Sequence, residues 1–354
     1  MRLTIRQFTF VFALLIALLQ TSRAQTHLRL WFDTPATNFT QSLPLGNGRL
    51  GAMVFGGVNE ERIVLNESSL WSGGPQDADR SDAAQYLPEI KRLLLAGKND
   101  EAEKLVYAHF TCQGKGSNRA RSKDEPYGSY QVLGNLKLTF PSAEARNYKR
   151  ELNLADATAR VSYEQGGVKF TREVFVSAPD EAIIIRLTTD KSGAINFTAA
   201  LDRPERFTTI ADGNNGLLMS GQLNNGTDGN GMKYATHLRV LSQGGATNID
   251  GNIMRVSNAN EALILITAAT NFQGFAGRKT ADARTASVND LTKAAATNFQ
   301  TLLAAHKSDY QKYFHRVRLT LPTNAETAAM TTPARLRAVA NGASDPALFA
   351  VLLS

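Results

Sequence analysis

The sequence predicts a mainly β protein: a large antiparallel β-sandwich followed by a helical segment. Three observations carry this. Apolar residues alternate with polar ones in runs that recur along most of the chain. Glycine, asparagine and aspartate turns separate those runs, and one long stretch near the C-terminus keeps a three-or-four spacing instead.

The chain opens on a different pattern. Arg2 and Arg6 give a positive start, and Phe8 to Leu19 form a 12-residue apolar stretch broken only by Thr9. Ser22 and Ala24 then supply the small residues of a cleavage site, which completes a secretory signal. A membrane span needs about 20 apolar residues, so the segment reads as a cleaved leader and not as an anchor. The expected localisation is periplasmic or extracellular. Loss of Arg2, Arg6 and Arg23 lowers the formal charge from +7 to +4. The remaining charges are scattered. The densest cluster, Arg119 to Lys123, runs directly into Asp124 and Glu125 and reads as a solvated loop. Without a basic stripe interleaved with aromatics, nucleic acid is not an expected partner. Cys112 is the only cysteine, so no internal disulfide forms and no lipid attachment is expected at the cleavage site.

The strands follow in order. Val161 and Tyr163, then Val168, Phe170, Val174 and Val176, flank Gly166-Gly167 as a hairpin. Ile183-Ile184-Ile185 with Leu187 reads as a central strand, apolar on both faces, and Leu263 to Ile266 as another buried strand. Ile195, Phe197, Ala199 and Leu201 alternate cleanly, and Asp250-Gly251 marks a second hairpin turn. Two short helices are expected within Leu87 to Phe110, broken at Gly97 and Asn99. The long periodic stretch runs from Val288 to Val317, and Pro322 ends it. Beyond it, Pro333 opens a helix that Asn341-Gly342 stops, and Asp345-Pro346 opens another. That last helix, through Leu353, has no polar face, which suits a protein interior. Its end at Ser354 reads as truncation.

Three patches carry candidate chemistry. Gly46-Asn47-Gly48-Arg49-Leu50-Gly51 matches a dinucleotide fingerprint, but that motif needs an apolar strand before it and a helix after it. Pro44 precedes it and a strand-like Ala52 to Gly57 follows, so the glycines serve backbone geometry. Leu65 to Pro75 places Asn66, Glu67, Ser68 and Trp71 in one turn, the amide, carboxylate, hydroxyl and aromatic groups that sugar sites use. The alternative has Asn66 and Ser68 bracing a loop while Trp71 fills core, and it is the favoured one. The same pair of readings applies to Tyr127 through Leu136, which contains Gln131. The five histidines are scattered without ligand spacing, and those at 306 and 315 read as packing or capping residues, so no metal and no cofactor is expected.

These patches resemble a known family. Residues 43–57, 65–75, 130–138 and 148–187 look like the N-terminal domain of glycoside hydrolase family 95, whose members are inverting α-L-fucosidases, some acting on related L-galactosides. Residues 306–321 resemble its helical linker and 345–353 the start of its catalytic domain. The resemblance implies the order sandwich, linker, (α/α)6 barrel, with the catalytic acid and base in the barrel. It divides the chain into a signal peptide at 1–24, a β-sandwich at 25–285, a helical linker at 286–322 and the truncated start of the barrel at 323–354. It implies that the intact enzyme acts on terminal fucose of glycans, that no catalytic residue lies here, and that the missing barrel is an intramolecular partner. Asn47, Arg49, Asn66, Glu67, Trp71, Tyr127 and Gln131 are then candidates for substrate or domain contact. A non-catalytic carbohydrate-binding or structural module is the alternative.

Protein recovered from the exported fraction should begin at Gln25. Intact mass decides this, and material still carrying Met1 after export overturns it.

Overall fold

The computed structural model describes residues 28–74, 79–110, 128–226, 228–274, 278–322 and 324–353. The leader, Cys112, the 119–125 cluster and Tyr127 lie outside the described residues. Among the described residues, sixteen strands form two sheets. The larger has nine strands in the order β1 (Arg29–Phe32), β6 (Ala145–Asn153), β7 (Thr158–Gln165), β8 (Val168–Ser177), β9 (Ala182–Thr189), β16 (Glu261–Thr270), β13 (Lys233–Gln243), β12 (Gly216–Gln222) and β11 (Thr208–Ala211). The smaller has seven: β14 (Ala246–Asp250), β15 (Ile253–Ala259), β10 (Ile195–Asp202), β5 (Gly134–Thr139), β4 (Glu60–Glu67), β3 (Leu50–Val54) and β2 (Leu43–Gly46). Every pairing is antiparallel.

The expected hairpins form. Gly166 and Gly167 turn β7 into β8, both at positive φ, where a side chain would be strained. Ile195, Phe197, Ala199 and Leu201 point into the main core, where the two sheets meet. Pro44 sits in β2, at the edge of its sheet, where a missing N–H costs no ladder bond.

The nine-stranded sheet is apolar on both faces. Ile183 and Ile185 face the other sheet, while Phe175, Ile184, Leu263 and Leu265 face outward. Two helices cover that outer face: α3 (Ala283–Ala295) and α4 (Phe299–Phe314) bring Leu291, Ala294, Phe299 and Leu302 onto it. The long periodic stretch is thus two helices, starting before Val288 and ending well short of Pro322. Asn298 divides them, because its side chain accepts from the Thr301 N–H at 3.0 Å and starts a new helix. Both helices pack back on the sandwich. His306 is a packing residue, bonded through Nε2 to the Asp156 carbonyl at 3.0 Å, and His315 is the C-cap of α4.

Between β4 and β5 the predicted pair of helices appears as α1 (Leu87–Leu95) and α2 (Asn99–His109), with Gly97 at positive φ in the break. At the C-terminal side, α5 (Ala325–Ala329), α6 (Thr332–Ala340) and α7 (Pro346–Leu352) follow. Asp345 caps α7 as expected, accepting from the Leu348 N–H, and also takes two hydrogen bonds from the buried Arg335 at 2.7 and 2.8 Å. The Arg335 guanidinium holds the Asp345 carboxyl below the usual carboxylate range. One face of α7 is buried through Ala347, Leu348, Ala350 and Val351, and Phe349, Leu352 and Leu353 are exposed. Thr332 accepts from the Trp31 N–H at 2.9 Å, so α6 covers the free edge of β1.

A fully buried ion pair lies between the sheets. Glu61 on β4 meets Arg172 on β8, both fully buried, and Glu61 also accepts from the Gly56 N–H at 2.9 Å. Burial raises the Glu61 carboxyl, and Arg172 pulls it back down. Arg172→Met should cost about 3–5 kcal/mol at neutral pH, because it leaves a buried charge uncompensated. Glu61→Leu together with Arg172→Met should recover most of that. With Arg172 gone, Glu61's folded pKa rises further above its unfolded value of about 4.3. Stability is then fully present below that value and lost as pH rises, so the deficit should shrink toward pH ~4. Denaturation at both pH values checks this, and a pH-independent deficit overturns it.

Candidate functional site

One end of the sandwich gathers the turn from β2 to β3, the segment 68–74 leaving β4, the segment 128–133 entering β5, and the turn from β8 to β9. The candidate residues lie here, and they fall into two groups.

The first group turns inward. Asn47 Oδ1 accepts from the Arg49 and Leu50 N–H groups at 3.0 and 2.7 Å, and its Nδ2 donates to the Ser177 carbonyl at 2.9 Å. It therefore ties the turn of the small sheet to the end of β8 in the large one. Gly48 takes φ 89°, the left-handed conformation this turn needs. Arg49 donates from Nε to Glu181 at 2.7 Å and from Nη1 to the Ala268 carbonyl at 2.7 Å, with Glu67 at 3.4 Å. Asp290 of α3 stands 4.0 Å from Nη2 and is itself gripped by Arg278. Glu67 is buried, and its Oε2 accepts from both the N–H and the hydroxyl of Ser69, at 2.8 and 2.6 Å. Ser69 continues to the Thr270 hydroxyl at 2.6 Å. These side chains join the two sheets and α3, with their polar atoms spent on one another.

The second group turns outward. Trp71 is 46% exposed, which corrects the reading that it fills core. Its Nε1 donates to the Ser68 carbonyl at 3.1 Å. Tyr130 is 42% exposed and forms a β-bridge with Trp71, their rings 5.8 Å apart and inclined at 71°. The Tyr130 hydroxyl donates to Asn66 Oδ1 at 2.9 Å. Partial burial, with the nearby Glu67 charge, raises the Tyr130 pKa, so the hydroxyl stays a donor. Gln131 Nε2 reaches the Ser129 hydroxyl at 3.1 Å, and the Ser72 N–H donates to the Ser129 carbonyl at 2.9 Å. Gly73 bonds the Asn224 carbonyl at 2.9 Å, which brings the turn between β12 and β13 alongside.

Of the candidates, Asn66 and Trp71 thus meet at Tyr130 in one outward corner, Asn47, Arg49 and Glu67 lie in the inward network, and Gln131 bonds Ser129 and Ser72. Sequence reasoning missed Tyr130, Glu181, Arg278 and Asp290. Tyr130 lay inside a patch already singled out, but only its pairing with Trp71 picks it from its neighbours. No group of three potential metal ligands occurs among the described residues. The cleft beside the junction of α3 and α4 contains Arg186 and Glu261, which are locked together by two bonds of 2.8 and 2.7 Å. Its charges face each other, not a ligand.

Comparison with known proteins finds two families along the chain. A family described as glycosyl hydrolase family 65, N-terminal domain, matches residues 30–275, and the glycosyl hydrolase family 95 catalytic domain matches residues 298–354. The family 95 resemblance is thus matched from the start of α4 onward, and the sandwich carries the family 65 description. Alpha-L-fucosidase 2 of Arabidopsis thaliana is 32% identical over 356 residues, covering 92% of this chain and 41% of that protein. The protein named probable alpha-fucosidase A in Aspergillus niger is 29% identical over 310 residues, covering 83% of this chain and 38% of its own. Its namesake in Aspergillus oryzae is 26% identical over 334 residues, covering 88% and 44%. The chain spans less than half the length of each of these relatives.

The two groups should separate in stability. Arg49→Met leaves Glu67 buried without its cation and should cost about 3 kcal/mol, while Gln131→Ala should stay within about 0.5 kcal/mol. Urea titration reads both, and a neutral Arg49→Met would overturn the division.

Proposed function

The chain belongs to the family of glycosyl hydrolase family 65 N-terminal domains, and from that premise we propose that it is the N-terminal part of an exported glycoside hydrolase of the α-L-fucosidase kind. The intact enzyme removes terminal fucose from a glycan with inversion. The observation that carries the reading is the order of the two matches, a sandwich domain and then the opening of a fucosidase catalytic domain, along one chain whose relatives are named as fucosidases.

The sandwich itself is non-catalytic in this reading. An inverting site needs two carboxyl groups about 6.5–9.5 Å apart with a water between them. The carboxylates at the functional end support the opposite role, since Glu67, Glu181 and Asp290 are all engaged by Arg49, Arg278 or Ser69. The sandwich braces the catalytic domain and presents its outward corner beside the substrate.

Incubated with fucosyl-α1,2-galactose, this chain should release no fucose. A form of the enzyme that includes the rest of the catalytic domain should release it, with β-L-fucose as the first anomer seen by proton NMR. Turnover by this chain that disappears on a single Glu or Asp substitution within it would overturn the reading.

A further inference from the structure

We propose that the joint between the nine-stranded sheet and its helical layer is acid-sensitive: as pH falls below the ordinary range of a histidine, α3 and α4 loosen from the sheet while the core between the two sheets stays closed. The inference stands apart from the hydrolase reading, since it needs only the sandwich and these two helices.

The geometry places one imidazole at each helix. His237 projects from β13 beneath α3 and is 1% exposed. Its Nδ1 lies 2.8 Å from the Ser287 hydroxyl, which also bonds the Ala283 carbonyl of the same helix at 2.8 Å. His306 projects from α4 onto the sheet and is 4% exposed. Its Nε2 meets the Asp156 and Ala157 carbonyls at 3.0 and 3.2 Å, and its ring lies against Phe175 of β8, centroids 4.8 Å apart. Neither ring bonds a carboxylate among the described residues. An imidazolium in either place gives up its water without gaining a counter-ion in contact.

The charged groups around each ring do not make up for this. Toward His237, α3 presents Arg284, β13 itself Arg239, and the turn before β12 Asp212. That acid stands 3.9 Å from Arg239. Toward His306, the turn from β6 to β7 presents Asp156, which is already held by Lys307 of α4 at 2.8 Å and by Gln311 at 3.2 Å. Burial outweighs these acids at both rings and pulls both imidazoles below the ordinary histidine value.

The sign follows from the two states of the layer. Once a helix lifts, its imidazole meets water and titrates near about 6.5. The docked form is therefore at full strength above that value. Its advantage is lost as pH falls below it toward the lowered docked value, because the loosened form binds more protons. The core between the sheets contains no histidine among the described residues, so it lacks this response. The catalytic-domain match begins at the N-cap of α4, so the loosened element is the one that leads into that domain.

Native-state hydrogen exchange at about pH 7.5 and about pH 5.5, above the ordinary carboxylate range, reads the opening when each amide is compared with its intrinsic rate at that pH. Protection in α3 and α4 should fall by up to about tenfold for each imidazole, while β5 and β10 keep theirs. His237→Gln combined with His306→Gln should show equal protection of the helices at the two pH values. Imidazole C–H resonances of the parent give a second reading should that variant fail to fold: His237 and His306 should titrate below the exposed His315. The proposal falls if the helices lose no more protection than β5 and β10, if the double variant keeps the parent's pH dependence, or if both buried rings titrate together with His315.

Discussion

Burial of the nine-stranded sheet on both faces is the constraint on which the rest of the molecule depends. An antiparallel sheet that shows one face to water alternates polar and apolar residues along its strands. β9 and β16 do not: their central residues are apolar at consecutive positions and buried on either side. The small sheet covers one face, so the other needs a third layer, and α3 and α4 are that layer. Polar contacts fix where they sit. The Thr267 hydroxyl donates to the Ser287 carbonyl at 2.7 Å, and the Ser287 hydroxyl meets His237 Nδ1 at 2.8 Å. Burial lowers the His237 pKa, which keeps the ring neutral in this contact.

This layer has a consequence for the order of domains. The sandwich match ends at residue 275 and the catalytic-domain match begins at 298, the N-cap of α4. Yet α4 lies against the sheet. Phe299 meets Phe175 edge-on with centroids 5.8 Å apart, and the Tyr310 hydroxyl donates to the Leu154 carbonyl at 2.6 Å. Residues that a family boundary assigns to the next domain therefore complete the hydrophobic face of this one. A boundary drawn at Asn298 would take away the Phe299 ring that covers Phe175, at about 1.5–3 kcal/mol for a large side chain left facing water.

The hairpins, the central strands and the helical pair between β4 and β5 were legible because local chemistry decides them. Glycine pairs select tight turns, and consecutive β-branched residues mark a strand covered twice. The break at Asn298 was less legible, since apolar spacing continues through it and only the side chain of one asparagine diverts the backbone. The inward network was least legible. Arg49, Glu181, Ala268 and Asp290 come from four separate parts of the chain, and their meeting is a result of sheet pairing that no local pattern contains.

The division within the candidate site follows from strand geometry. Asn66 and Glu67 are neighbours in sequence at the end of β4, and successive residues of a strand point to opposite faces. Glu67 is turned inward toward Arg49 and Ser69, while Asn66 is turned out toward Tyr130. A single sequence motif thus supplies one residue to the stitching of the sheets and the next to the surface. The two roles support each other. Arg49 draws the start of β3, the turn before β9 and the end of β16 together, and the Glu67–Ser69–Thr270 contacts hold the start of the segment that carries Trp71.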